Sequence, residues 1–385
     1  MKTIHHLQPL LRSFVEKGPA GCACSVYHQN EQVFEDYVGY ADLETKKPIT
    51  PDTIYRIYSM TKVVTCVAAL KLYERGLFLL EDPLEEYLPE FKNPQVYREG
   101  KSREVYATPA AKSIRVKDLF TMTSGLTYEG EANETERQVN KAMNDFRKKG
   151  TFTVRELSKT LANIPLAFDP GTQWRYGLSH DVLGAFIEVV SGKTFGRFLQ
   201  DEIFQPLSME DTFFKIPDDK KERLSSLYDW KEPGNLQKNS KMDVEFQQGT
   251  LFESGGGGLL STLNDYSRFA HMLANGGLFD GERILGAKTV ELMGMNHLLP
   301  EQVPTYNWEH LKGYGYGLGV RVMMNPPLAG SNSSIGEFGW MGMAGTWVMI
   351  DPKEQLSAVY MHQLLPNFET YTQPRLRNVI YGAVV

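Results

Sequence analysis

Ser59 and Lys62 stand three residues apart in Ile57-Tyr58-Ser59-Met60-Thr61-Lys62. A strongly apolar run follows, with Val63, Val64, Cys66, Val67, Ala68, Ala69, Leu70 and Leu72, and stops at Gly76. Such a run predicts a buried helix, and the i, i+3 spacing puts both side chains on one face at its mouth. An unprotonated amine at Lys62 would take the proton of the Ser59 hydroxyl. The helix N-terminus would favour negative charge developing on that oxygen. The chemistry is that of an activated serine nucleophile.

Two further segments carry groups such a serine needs. Tyr176 lies in Trp174-Arg175-Tyr176-Gly177-Leu178-Ser179, between the turn Pro170-Gly171 and a helix expected from His180. A phenol on such a loop projects into a cleft and can carry a proton between Ser59 and a leaving group. Phe338 to Thr346 contains Gly339, Gly342 and Gly345 just before a strand. Glycine lets a backbone edge come close to a substrate, so N–H groups there complete an oxyanion hole with the N–H of Ser59.

Other chemistries find little support. The eight histidines show no H-E-x-x-H or His-x-His spacing, so no metal is expected. His180, four residues after Tyr176, reads as a satisfied residue at a helix N-terminus, with a place near the cleft as the alternative. Gly255 to Gly258 lacks the Lys-Ser/Thr of a phosphate loop, and no Gly-x-Ser-x-Gly elbow is present. Cys22, Cys24 and Cys66 are three scattered thiols suited to a reducing compartment and buried packing. The formal charge of −6 gives no reason to expect nucleic acid as a partner. No apolar run is long enough to span a bilayer. Met1 to Lys17 reads as an amphipathic helix and not as a secretory signal. A cytoplasmic protein with no cofactor and a small-molecule substrate is expected.

The elements that position these residues form two sets. A helix and strands at Cys22 to His28 and Gln32 to Tyr40 open the chain. Strands at Gly313 to Met323, Gly345 to Ile350 and Leu356 to His362 and a helix from Glu369 close it, with the turn Asp351-Pro352-Lys353-Glu354 between the last two strands. An α+β architecture follows: an antiparallel sheet from both chain ends (1–83 and 296–385) flanked by helices, and a mainly helical middle domain (84–295), with the active site between them. The middle carries helical periodicity at Val116 to Met122, Val154 to Ala162, His180 to Ser191, Phe195 to Ile203 and Leu263 to Ala274. Lys92 to Lys112 and Asp218 to Phe252 read as long surface loops, and Glu129 to Lys149 as a helix covering a site.

The order of Ser-x-x-Lys near residue 60, Tyr176 in a Pro-Gly-led loop and a glycine-containing strand near 340 resembles the serine β-lactamase and penicillin-binding-protein superfamily. Within it the chain is most similar to the class C β-lactamase-like group of family VIII carboxylesterases and acyltransferases. Leu119 to Leu126, Phe168 to Gly171, Ser254 to Leu259 and Gly313 to Gly319 support the likeness, which spans Gly21 to about Met361. The resemblance implies that Ser59 is the nucleophile, Lys62 helps deprotonate it and Tyr176 is the general base and acid. The third motif maps to Trp340-Met341-Gly342, with the Met343 N–H as second oxyanion donor. Lys62 is then expected to carry a depressed pKa. Two positions depart from the superfamily pattern. Trp340 stands where a cation meets a substrate carboxylate, and Leu178 where an Asn meets a substrate amide. Both favour a neutral, apolar acyl substrate. The expected activity is ester hydrolysis or acyl transfer through an acyl-Ser59 intermediate, with Trp340, Gly342, Leu178, Tyr128 and Trp174 as substrate-binding residues and with Tyr306 and Trp308 also able to line the acyl pocket. A β-lactamase or D-Ala peptidase, and a binding or sensor module without catalysis, are the alternatives.

Overall fold

A computed structural model describes residues 4–100, 104–247 and 249–384. The amphipathic run near the start forms helix α1, Leu7–Lys17, burying Leu7, Leu11 and Phe14 at helical spacing. It leads into strands β1 (Gly21–His28), β2 (Glu31–Asp42) and β3 (Lys47–Pro48). The far end of the chain supplies β4 (Tyr314–Tyr316), β5 (Arg321–Met323), β6 (Phe338–Met341), β7 (Trp347–Asp351) and β8 (Leu356–His362). One eight-stranded sheet results, in the order β4-β5-β6-β7-β8-β1-β2-β3. Every pairing in it is antiparallel, and β1 against β8 joins the two chain ends, with Cys24 opposite Tyr360.

Both faces of the central strands are covered, so β6, β7 and β8 are buried throughout instead of alternating. On one face Cys22 points at the Leu11 carbonyl of α1 and Tyr360 packs edge-on against Phe14. On the other face Tyr27 stacks on His271 of a helix from the middle of the chain, Leu263–Ala274. The thiols of Cys22 and Cys24 are buried, and burial pushes the Cys22 pKa up to about 12, which leaves no reactive thiolate.

Between β3 and β4 the chain is mainly helical. Helix α2, Thr61–Glu74, is buried on all sides from Thr61 to Leu70 and packs against α4, Ser179–Ser191. Helix α3, Glu134–Lys149, starts at Asn133, whose side chain accepts from the Glu136 N–H.

Three sequence expectations change. Gly313 to Met323 is a hairpin and not one strand. Gly319 takes φ +83° and the Gly317 N–H closes on the Val320 carbonyl, so the chain reverses at 317–320. The supposed loop at 92–112 contains a hairpin, Gln95–Glu99 with Val105–Pro109, with 101–103 outside the described residues. The stretch 218–252 holds a second one, Tyr228–Glu232 with Asn235–Lys238, which Leu364–Leu365 joins in parallel. Polar surface strands lack the apolar alternation by which strands are read.

A Cβ at Gly319 would overlap Cys66 Sγ on α2, in a backbone conformation that side chains rarely adopt. Gly319→Ala is expected to cost about 3 kcal/mol in urea denaturation. Adding Cys66→Ala should recover part of that loss; strict additivity of the two changes would remove the contact as the cause.

Candidate active site

Ser59 lies in a 3-10 turn, Tyr58–Met60, that feeds α2. From Thr53 to Leu70 every residue except Ser59 is buried, so a single hydroxyl surfaces from a stretch of core. The turn is held open by Tyr58, a bulky residue at φ +42°. That conformation costs on the order of 1–3 kcal/mol and persists only where packing enforces it. Here the Tyr58 ring meets Phe246 edge-on within a small second core with Ile54, Ile216, Leu227, Leu260 and Ala344.

Lys62 follows one turn later and its Nζ donates to Ser59 Oγ over 3.2 Å. It also donates to Tyr128 Oη over 2.8 Å and to the Gly256 carbonyl. An ammonium has three protons, and all three find acceptors. The expected depressed pKa is not what the structure supports. Burial alone pulls the Lys62 pKa down, but Tyr128 and then Tyr176 outweigh it, and the net shift is upward from 10.5. Burial in turn holds Tyr128 as a neutral phenol. Lys62 is therefore a charged donor in this arrangement, and the nearby charge helps burial push the His180 pKa down to about 3.

Tyr176 stands over the same ammonium, with Lys62 Nζ 4.6 Å from its ring centroid. Its hydroxyl accepts from Trp340 Nε1 over 3.1 Å. Trp340, on β6, is 1% exposed and packs 5.5 Å from the Tyr176 ring. The Trp340 indole N–H thus orients the phenol. Gly342 lies just beyond β6, against the serine turn. A Cβ there would stand 2.5 Å from the Ile57 carbonyl oxygen, so only glycine lets that edge approach. The Met343 N–H that follows has no acceptor among the described residues, and Met343 lines the same cleft as Ser59.

That cleft has a volume of about 550 Å³. Tyr128, Tyr176, Leu178, Trp308, Trp340, Gly342 and Met343 border it, with Met143 of α3, Met242 and Phe252. Arg147 is the one cation on its wall among the described residues, and its guanidinium makes two hydrogen bonds to Glu129, at 2.6 and 2.8 Å. Trp174 and Tyr306, expected on the substrate wall, stand behind it. Trp174 is 3% exposed and packs edge-on against Tyr306 and Tyr316, so it supports Tyr176 and does not face Ser59. His180 is the packed residue at the start of α4 that its position favoured: it is buried beneath α2, its Nε2 3.6 Å from Cys66 Sγ and 3.2 Å from the Phe120 carbonyl oxygen.

Reading the residues alone missed Asp181, Ser254 and Gly256 as a unit. Asp181 is buried at the start of α4 and accepts from Ser254 Oγ and from the Gly256 N–H at 3.2 Å. The anchored glycine turns its carbonyl to Lys62. The signal was the run Ser254-Gly255-Gly256-Gly257-Gly258, whose glycines allow close approach, but its partner is a lysine amine and not a phosphate. No group of side chains suited to a metal ion occurs among the described residues. No helix among them is long and apolar enough to cross a membrane.

Comparison with known proteins shows the family. Residues 7–380 match the family described as Beta-lactamase. Protein Rv1367c of Mycobacterium tuberculosis (strain ATCC 25618 / H37Rv) is 30% identical over 370 residues, covering 94% of this chain and 90% of that protein. Esterase EstB of Burkholderia gladioli is 27% identical over 392 residues, covering 95% and 92%. The structure of EstCE1, a hydrolase with promiscuous acyltransferase activity, superposes with a TM-score of 0.82 at 22% identity over 99% of both chains.

Replacing Tyr128 by Phe removes one acceptor from a buried ammonium. The loss is expected to be about 1–3 kcal/mol in urea denaturation. A raised pKa stabilises the fold below the ordinary lysine value of 10.5 and is lost only as pH rises through the higher folded value. The Tyr128→Phe penalty should therefore be constant around neutral pH; a penalty that appears only on mild acidification or is absent throughout would contradict a charged Lys62.

Proposed function

The chain belongs to the Beta-lactamase family, and from that premise we propose that it is a serine ester hydrolase working through an acyl-Ser59 intermediate, which passes its acyl group to water or to an acceptor alcohol. The observation that carries this reading is the lone hydroxyl at Ser59, bonded to a fully partnered ammonium and faced by a phenol across a cleft with no unpaired cation among the described residues. A carboxylate-bearing β-lactam or peptide has nothing to meet there; a neutral acyl group meets Leu178, Trp340 and methionine side chains. The site then lies where the proposed sheet domain, 1–83 with 296–385, meets the proposed helical domain, 84–295. The first contributes Ser59, Lys62, Trp340 and Met343, and the second Tyr128, Tyr176, Leu178 and Gly256.

In this mechanism Ser59 Oγ attacks the ester carbonyl, and the charge that develops on the carbonyl oxygen is met by the N–H groups of Ser59 and Met343. Lys62 stays charged and stabilises the negative charge forming at Ser59 and Tyr176. The Ser59 proton is delivered through the Tyr176 hydroxyl to the oxygen of the departing alcohol. Water or an alcohol then gives its proton back along the same route as it takes the acyl group.

Incubation with a fluorophosphonate followed by intact-mass analysis should add one label to the protein and none to Ser59→Ala; a labelled Ser59→Ala variant would refute the assignment. Turnover of p-nitrophenyl short-chain esters should exceed that of nitrocefin, and comparable turnover would favour a β-lactamase instead. Tyr176→Phe should lose most ester turnover with the fold intact. Trp340→Phe, which removes the indole donor, should lower kcat about tenfold to a hundredfold with little change in KM. Near-normal kcat in either variant would take that residue out of the mechanism.

A further inference from the structure

Beside the cleft, across a wall formed by Tyr176 and Trp308, opens a hollow of about 390 Å³. Both residues line both spaces, but the two differ in chemistry. The cleft presents Met143, Met242, Phe252 and Met343 beside Glu129, Asn367 and Glu369, whereas the hollow presents the exposed amides of Gln173 and Asn307 with Asn133 and the Thr305 hydroxyl beside Phe168 and Pro304. Two of its polar groups already have structural work: Asn133 caps α3, and Thr305 Oγ1 accepts from the Trp174 N–H over 2.8 Å. The amides of Gln173 and Asn307 have no hydrogen-bond partner among the described residues. Arg175, the one cation on this wall among the described residues, is paired with Glu136.

We propose that this hollow binds the alcohol portion of the substrate or the acceptor alcohol, and that this alcohol is neutral and polyhydroxylated, of the glycerol or sugar type. The inference rests on the ester-hydrolase reading above. In that reading Tyr176 hands a proton to the leaving oxygen, so the group attached to that oxygen lies on the Tyr176 side of the carbonyl. From there it extends past Trp308 into the hollow. Free amides donate and accept as hydroxyls require. The absence of an unpaired charge on the described wall gives no preference for phosphate or carboxylate esters. The size is ordinary for a small-molecule site. In transfer, the bond from the acyl carbon to Ser59 Oγ breaks, a bond to the alcohol oxygen forms, and the alcohol proton passes through Tyr176 to Ser59 Oγ.

The test forms the acyl-enzyme from p-nitrophenyl butyrate in the presence of ethanol, glycerol or methyl glucoside at equal hydroxyl concentration. Released p-nitrophenol counts all turnovers, and chromatography counts the new ester. Transfer to glycerol or methyl glucoside is expected to exceed transfer to ethanol by about tenfold, the worth of one or two neutral hydrogen bonds. The double variant Gln173→Ala/Asn307→Ala should bring transfer to glycerol and methyl glucoside down to the ethanol level, read as a ratio of the new esters within each variant so that any change in overall turnover cancels. Equal transfer to all three alcohols, or a preference that survives the double variant, overturns the proposal. A second arm needs no turnover: saturation-transfer NMR of methyl glucoside with the Ser59→Ala protein should show binding that the additional Gln173→Ala/Asn307→Ala changes abolish. Absence of p-nitrophenol release defeats the ester-hydrolase reading, whereas absence of sugar binding defeats the hollow as an alcohol site.

Discussion

A buried ammonium tolerates no idle proton, because removing a charge from water costs several kcal/mol unless each N–H finds an acceptor. Lys62 is such a group, and its acceptors come from three separate parts of the chain: the turn at Ser59, the loop at Tyr128 and the glycine run at Gly256. Satisfying this one cation draws the mouth of α2, the segment before α3 and the segment facing α4 onto one point. Asp181 extends the same logic outward, since it anchors Ser254 and Gly256 and so fixes the third acceptor. The arrangement around Ser59 and the local stability are therefore one network.

Around that point the backbone approaches itself more closely than side chains permit. Gly342 brings the end of β6 against the Ile57 carbonyl, and Thr346 Oγ1 donates to the same oxygen over 3.2 Å. The turn it presses on contains Tyr58 in the left-handed region, anchored by a ring buried in its own small core. Strain at a functional turn survives only when the surroundings over-determine it. Two glycine edges, one buried ring and one partnered cation supply that determination here.

The aromatic residues set what surrounds this framework. Trp340 gives up the chance to meet a carboxylate and uses its N–H to hold the Tyr176 hydroxyl, while its ring walls the cleft. Trp174 and Tyr306 back that wall from the core. The result is a cleft whose apolar wall meets the hydrogen-bonded group of Ser59, Lys62 and Tyr128.

Much of this was legible in the residues. The nearness of Ser59 to Lys62 was legible in a three-residue spacing ahead of an apolar run, and the placing of Tyr176 and Gly342 beside expected elements in turn chemistry, because helix periodicity and glycine placement are local properties, while the roles proposed for them came from the family resemblance. The antiparallel sheet from both chain ends was legible for the same reason. The polar hairpins at 95–109 and 228–238 and the reversal at 317–320 were not, since they carry no alternation or hinge on a single left-handed glycine. The protonation of Lys62, the partnership of Asp181 with Gly256, and the division of the aromatics between the cleft wall and the layer behind it were decided by tertiary structure alone. Charge state and burial depend on which distant groups meet, and local pattern does not encode that meeting.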